Sequence, residues 1–167
     1  MLPDHVDEVL AQWKRERPDV DVSAMAIIGR LSRLDKAIGR RLDTVFAEHD
    51  LESWEFDVLA TLLRTGAPYQ LTPGQLLDAV MITSGAMTNR LDRLEKRGFV
   101  ERVKSPDDGR QVLVTLTDVG LATVDAALVD HAANELQLIG TLDKSQQRHL
   151  VELLRIMDQG LAHDSQE

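Results

Sequence analysis

Residues 71–120 read LTPGQLLDAVMITSGAMTNRLDRLEKRGFVERVKSPDDGRQVLVTLTDVG, and the order of local signals in this stretch decides the fold. Thr72 suits a helix N-cap, and Pro73 suits the first helical position, where a missing N–H costs nothing. Leu76, Leu77 and Val80 give that first helix an apolar side. A break is expected at residues 81–83, with Thr83 or Ser84 able to cap a second helix. In the second helix Met87, Leu91 and Leu94 recur at the spacing of a buried face, and Gly98 ends it as a C-cap glycine does. Two β-rich runs follow, FVERV at 99–103 and VLVTL at 112–116. The polar stretch between them carries turn chemistry at Pro106, Asp107, Asp108 and Gly109. Helix, turn, helix and two-stranded ribbon make a helix-turn-helix with a β-wing.

Such a unit places its second helix in a DNA major groove and its ribbon tip at the neighbouring minor groove. The outward face of the second helix carries Ser84, Gly85, Thr88, Asn89, Arg90 and Arg93. These are small, amide and guanidinium groups of the kind that approach phosphates and base edges. Arg110, beside the tip, suits a narrow and negative minor groove, and Asp108 stands two residues away, where it can hold the guanidinium as a bidentate partner. The candidate DNA contacts are therefore Ser84, Gly85, Thr88, Asn89, Arg93, Asp108 and Arg110. The plain alternative for Asp108 and Arg110 is a turn salt bridge. Thr117 is placed to cap the helix after the wing.

Outward from this unit the chain is helical. Val6, Val9, Leu10 and Trp13 define a helix over residues 5–17, closed by Pro18 and an acidic DVDV segment. Ser23 is placed to cap a long helix running to about His49, whose stripe (Ile27, Leu31, Leu34, Ile38, Leu42, Val45) is regular enough to be buried throughout. Residues 54–65 form another helix, with Phe56, Leu59, Leu62 and Leu63 inward, stopped by Gly66-Ala67-Pro68. Two helices follow the wing, over 118–139 and 143–161, with apolar stripes too extensive to stand alone. Packing against a second copy is the natural solution, since a two-fold dimer also sets two reading helices on adjacent half-sites. The expected fold class is mainly α with a small β-wing. Residues 51–116 would form the winged helix-turn-helix region, and residues 1–50 and 117–167 a helical dimerisation region.

At 167 residues the chain is long enough for a substantial core, and no apolar run approaches membrane-spanning length. The N-terminus begins acidic and lacks a signal-peptide pattern, so a soluble cytoplasmic protein is expected. There is no cysteine, which excludes disulfides and thiol-based sensing. The net charge is −9, yet residues 81–112 carry seven Lys/Arg against five Asp/Glu. That window is basic within an acidic molecule, so affinity for DNA must come largely from fit. A second basic cluster, Arg30, Arg33, Lys36, Arg40 and Arg41, reads as a solvated helix face.

The Asp108-x-Arg110 pair, Leu116-Thr117-x-x-Gly120 and Arg93-Leu94-Glu95-Lys96-Arg97-Gly98 together resemble the MarR family of bacterial transcription regulators, over nearly the whole chain. The resemblance implies a dimeric winged-helix repressor of double-stranded DNA, acting on a pseudo-palindromic operator, whose affinity is changed by a small ligand. The helix ahead of the long one, with Trp13 on it, together with the WEFDVLAT run at 54–61 and GAMTNR at 85–90, is similar to the PecS/HucR-type branch. Members of that branch respond to urate or similar anionic metabolites. The residues tied to ligand response in that branch correspond to Trp13, Asp57, Arg90 and Arg102 here.

Those residue types suit the chemistry. An indole offers a flat face to a planar purine, and a guanidinium offers a charged donor fork to its anionic oxygens. Asp57 would repel an anion unless Arg90 or Arg102 neutralises it, so a pair between Asp57 and one of these arginines is expected in the free protein, to be disturbed by ligand. Against this, Trp13 on an amphipathic helix is by default core, Asp57 a solvated charge, and Arg90 a phosphate contact. The five histidines (5, 49, 131, 149 and 163) form no i, i+4 pair, and no metal site, catalytic residue or cofactor is expected. Two other readings stand beside the urate sensor: a regulator responding to a phenolic or carboxylic acid, and a winged-helix protein-interaction module without DNA binding.

Overall fold

A computed structural model describes residues 2–80, 84–106 and 108–164. Among the described residues seven helices and three short strands follow the order read from the sequence, with one small addition. The helices are α1 (His5–Glu16), α2 (Met25–Glu48), α3 (Ser53–Leu63), α4 (Pro73–Val80), α5 (Ser84–Lys96), α6 (Asp118–Leu138) and α7 (Lys144–Asp164). The strands are β1 (Gln70–Leu71), β2 (Val100–Lys104) and β3 (Val112–Leu116). The expected break at 81–83 and the cap at Thr83 lie outside the described residues.

Local chemistry sets the element ends. At the start of α4 the Gln75 N–H donates to Thr72 Oγ1 (3.2 Å) while Gln75 Oε1 accepts from the Thr72 N–H (2.9 Å). This reciprocal capping box satisfies two otherwise orphaned groups. Gly98 ends α5 with φ +73°, a left-handed conformation that glycine adopts without Cβ strain. Thr117 Oγ1 accepts from the Gly120 N–H at 3.0 Å and so caps α6. Ser23, by contrast, does not cap α2. The Ser23 N–H donates to Asp21 Oδ1 (2.9 Å), and a preliminary turn from Val22 to Met25 moves the cap position to Ala24. α2 therefore starts without a side-chain cap, and Asp21 serves the turn ahead of it.

β2 and β3 form the wing hairpin in antiparallel register from Val100 opposite Leu116 to Lys104 opposite Val112. β1 adds to the other edge of β3, giving the order β1-β3-β2. The helix-turn-helix packs onto this sheet through one core. Leu59 and Leu62 of α3, Leu76 of α4, Met87, Leu91 and Leu94 of α5, Val100 and Val114 of the wing, and Val124 and Ala127 of α6 are all buried there. Met87, Leu91 and Leu94 are the inward positions expected for α5; of those expected for α3, Phe56, Leu59 and Leu62 are buried and Leu63 packs partly buried against this core.

The long stripe on α2 differs from expectation. Ile27 is 57% exposed and Leu34 56%, and on α7 Leu150, Leu153 and Leu154 are also open to solvent. Among the described residues α1, α3 and α6 make the main contacts to α2, and they leave Ile27 and Leu34 more than half exposed. Among those residues no helix is long and apolar enough to cross a membrane, and no group of three or more His, Asp or Glu is placed to hold a metal ion.

Candidate nucleic-acid interface

α5 presents the surface expected to meet DNA. Gly85, Thr88 and Asn89 are exposed on it, and Ser84 opens the helix. Residues three and four apart share a helix face, so Gly85, Thr88 and Asn89 turn outward together, while Met87, Leu91 and Leu94 anchor the opposite face in the core. The wing tip lies at the other end of the same unit. There Asp108 meets Arg110 through the backbone: Asp108 Oδ1 accepts the Arg110 N–H at 3.0 Å. The expected bidentate pair with the Arg110 guanidinium is not formed. An Asx turn of this kind shapes the tip and leaves Arg110 exposed, because a carboxylate two residues upstream reaches the main-chain N–H more easily than the end of a long side chain.

The inner flank of α5 faces α3, and there charges and an indole alternate. The Arg93 Nη2 donates to Glu52 Oε1, and its guanidinium lies 4.7 Å from the centre of the Trp54 ring. Glu52 Oε2 accepts from Trp54 Nε1 at 2.6 Å. Arg90, one turn earlier, sits over the same ring at 5.3 Å. Cations over an indole face are attracted by its quadrupole. Arg90 is also an electrostatic neighbour of Asp57, one turn further along α3. Desolvation raises the Asp57 carboxyl above the ordinary carboxylate range, and the charges of Arg90 and His131 oppose that rise. The Trp54 and Arg93 hydrogen bonds hold the Glu52 carboxyl below its usual range despite some desolvation.

Of the four residues expected to sense ligand, the structure brings two together. The Arg90 charge acts on Asp57 across the α3–α5 seam, but no ion pair forms between them, so the expected pairing of Asp57 with Arg90 or Arg102 is not made. Asp57 lines a polar cleft of about 340 Å³ together with Phe56, Ala60, Thr61, Arg64, Ala79 and Val80. Arg102 does not join them. It is bound to α5 instead, with Nη2 2.6 Å from Asp92 Oδ1 and Nη1 2.5 Å from Glu95 Oε2, so it ties the wing root to the reading helix. Two acids on α5, three residues apart, lie closer to β2 than Asp57 does. Trp13 is 43% exposed on α1, a helix that packs against α2.

Several contributors carried no role in the sequence reading. Glu55 is fully buried, and its Oε2 accepts from Arg97 Nη1 at 2.5 Å and from the Glu52 N–H at 2.9 Å. Arg97 also reaches the Asp50 carboxylate (2.7 Å) and stacks 4.6 Å over Phe99. This knot fixes the end of α5 to the start of α3. His131 stacks on Phe46 (5.3 Å) and lies tilted against Phe56 (4.9 Å), with Nε2 3.3 Å from Glu135 Oε1. The signal for the α3–α5 ladder was present in matching i, i+3 spacings, Trp54/Asp57 and Arg90/Arg93, but only the facing of the two helices gives it meaning.

A reading helix braced by a second helix, with a hairpin wing alongside, defines a winged helix-turn-helix DNA-binding protein. A profile of the MarR family matches residues 49–111. Over 159 residues the chain is 40% identical to the HTH-type transcriptional regulator PecS of Dickeya dadantii, covering 95% of this chain and 96% of that one. It is 34% identical over 96 residues to the multiple antibiotic resistance protein MarR of Escherichia coli, covering 55% and 65% of the two chains. The fold superposes on the crystal structure of a mutant E. coli MarR complexed with operator DNA with a TM-score of 0.70, at 28% identity over 83% of this chain and 99% of that one. The chain belongs to the MarR family, and it is a ligand-responsive DNA-binding transcriptional regulator rather than an enzyme.

Proposed function

We propose that the protein is a homodimeric repressor of a pseudo-palindromic operator, released from DNA by a small planar anion such as urate. The observation that carries this reading is the position of Arg90. It belongs to the reading helix, yet its guanidinium lies over Trp54 and its charge acts on Asp57, which lines a polar cleft. An anion entering that cleft competes with Asp57 for Arg90 and pulls on the helix that reads DNA. Release then follows if the anion binds the displaced arrangement better than the DNA-competent one. Gly85, Thr88, Asn89 and Arg93, with Ser84 at the helix start, serve the major groove, and the Asp108-shaped tip delivers Arg110 to the minor groove.

Residues 51–116 act as the DNA-reading unit, and residues 1–50 and 117–167 join two copies in the cytoplasm. The exposed stripes on α2 and α7 support that pairing. Trp13 supplies a stacking face to the ligand, and Arg102 acts by setting the wing against α5 rather than by touching the ligand.

The test is an electrophoretic shift on the DNA upstream of the protein's own coding sequence, at one fixed salt concentration, with and without urate. Release by urate, abolished in Arg90→Ala and weakened in Asp57→Asn, is the expected result. Retention of the complex at saturating urate sinks the urate reading, and a phenolic or carboxylic acid effector then takes its place. Failure of every duplex to shift, together with no effect of Arg110→Ala, favours an interaction module instead.

A further inference from the structure

We propose that Glu52 is a specificity-determining residue of the DNA interface, because it occupies Arg93 until a well-fitted phosphate displaces it. The inference rests on the reading of Arg93 as a DNA contact. In the free protein the Arg93 guanidinium is already engaged on two sides, by the Glu52 carboxylate and by the face of Trp54. Glu52 is itself held in place, since its second oxygen accepts the Trp54 Nε1 proton at 2.6 Å. Both members of the pair remain about half exposed, Arg93 at 51% and Glu52 at 56%, so a phosphate approaching α5 can reach the guanidinium from outside.

A phosphate and a carboxylate are like charges, and the two oxygens of Glu52 lie within hydrogen-bond reach of Arg93 and Trp54. A phosphate that docks on Arg93 therefore meets Glu52 as well, and one of the two anions must withdraw. The energy of a half-exposed ion pair is small, so a phosphate held in register by neighbouring contacts displaces it. A loosely docked duplex supplies no such register, and Arg93 stays with Glu52. In loose complexes the protein thus withholds one of its cations, while in fitted complexes it uses it. The repulsive element is as much a part of selectivity as the attractive one. An acidic protein with a modestly basic reading edge gains from this arrangement, since non-specific DNA binding is almost wholly a matter of phosphate neutralisation.

The experiment compares full-length wild type, Glu52→Gln, Arg93→Gln and the double variant by fluorescence anisotropy. Two duplexes are used: the one that wild type enriches most strongly from a randomised library, and a shuffled duplex of the same length and composition. Glu52→Gln retains an acceptor for Trp54 Nε1 but not the negative charge, and thermal unfolding of each variant reports on folding separately. Glu52→Gln is expected to tighten binding to the shuffled duplex about two- to fivefold, the size of one half-exposed ion pair. The selected duplex gains less, so the ratio of the two affinities narrows. The dependence of binding to the shuffled duplex on salt steepens by up to about 0.9 in log–log slope, one further phosphate contact. In the Arg93→Gln background the Glu52 substitution changes neither affinity.

Unchanged binding to the shuffled duplex in Glu52→Gln overturns the proposal. So does an equal gain in the Arg93→Gln background, which reports only a general change of charge. A gain on the selected duplex equal to or larger than that on the shuffled one also overturns it. If Arg93→Gln alone leaves both affinities unchanged, the reading of Arg93 as a DNA contact fails, and this inference fails with it. If Arg93→Gln weakens binding but Glu52→Gln does nothing, only this inference fails.

Discussion

Arg97 reaches from the end of the reading helix to Glu55, placing Nη1 2.5 Å from a carboxylate that has no exposed surface. The same guanidinium donates to the Asp50 backbone carbonyl and side chain and lies over Phe99, so one side chain joins α3, the end of α5 and the start of the wing. Removing one member of a buried ion pair leaves the other charge stranded, which costs far more than the pair contributes. Arg97→Met is expected to destabilise the protein by about 3 kcal/mol. A urea-unfolding midpoint lowered at unchanged slope checks it. A shift equivalent to a few tenths of a kcal/mol would mean that Glu55 is satisfied without Arg97.

Gly120 has no room for a side chain. A Cβ built on it would stand 1.9 Å from the Phe99 carbonyl oxygen, which is backbone and cannot swing away. The same oxygen accepts the Thr117 N–H at 3.1 Å, so the first turn of α6 is drawn tightly against the wing root. Gly120→Ala is expected to cost about 3 kcal/mol and to lower the thermal midpoint accordingly. Gly39, which meets nothing within 4 Å of an added Cβ, is the control, and Gly39→Ala should leave the midpoint unchanged or raised.

Asp57 carries a pH signature. Its carboxyl titrates above the ordinary value of 3.8 because desolvation outweighs the opposing charges of Arg90 and His131. A carboxyl raised in the folded state binds its proton more readily there than in the unfolded chain. Its ionisation therefore costs stability above the folded pKa, and the cost disappears below the unfolded one. Asp57→Asn is expected to be more stable than wild type at neutral pH, with the difference shrinking as pH falls through the Asp57 titration. Unfolding curves of both proteins from neutral to acidic pH measure this, and a wild type that is the more stable at neutral pH contradicts it.

The apolar surfaces on α7 give a test of assembly. Leu150 and Leu154 lie four residues apart on one helix face, both exposed in the single chain. Placing Glu at both positions is expected to convert a dimer in sedimentation to a monomer and to weaken operator binding with it, since two half-sites are then no longer read together. An unchanged sedimentation coefficient would exclude this face from the interface.

Much of this architecture was legible because it is local. The Thr72–Gln75 box, the left-handed Gly98, the Thr117 cap and the inward series Met87, Leu91, Leu94 each depend on residues within a few positions of one another. The same short range explains the misreading at Ser23, whose own N–H is bound by an acid two residues earlier in a turn that delays the start of α2 to a position with no side-chain cap. The two-residue β1 left no periodic signal to detect. Resemblance of motifs indicated the family and the winged helix, and placed Asp57 and Arg90 on one functional list.

Tertiary structure alone decided the partners of the charges. A chain with 19 Lys/Arg and 28 Asp/Glu permits many pairings, and local pattern cannot choose among groups forty residues apart. Packing of α5 across α3 sends Arg93 to Glu52, Arg97 to Glu55 and Arg90 toward Asp57, while the wing register sends Arg102 to Asp92 and Glu95. Caps and amphipathic faces are settled by backbone geometry over three or four residues, and so can be read along the chain. Ion pairs are settled by which surfaces the folded core brings face to face.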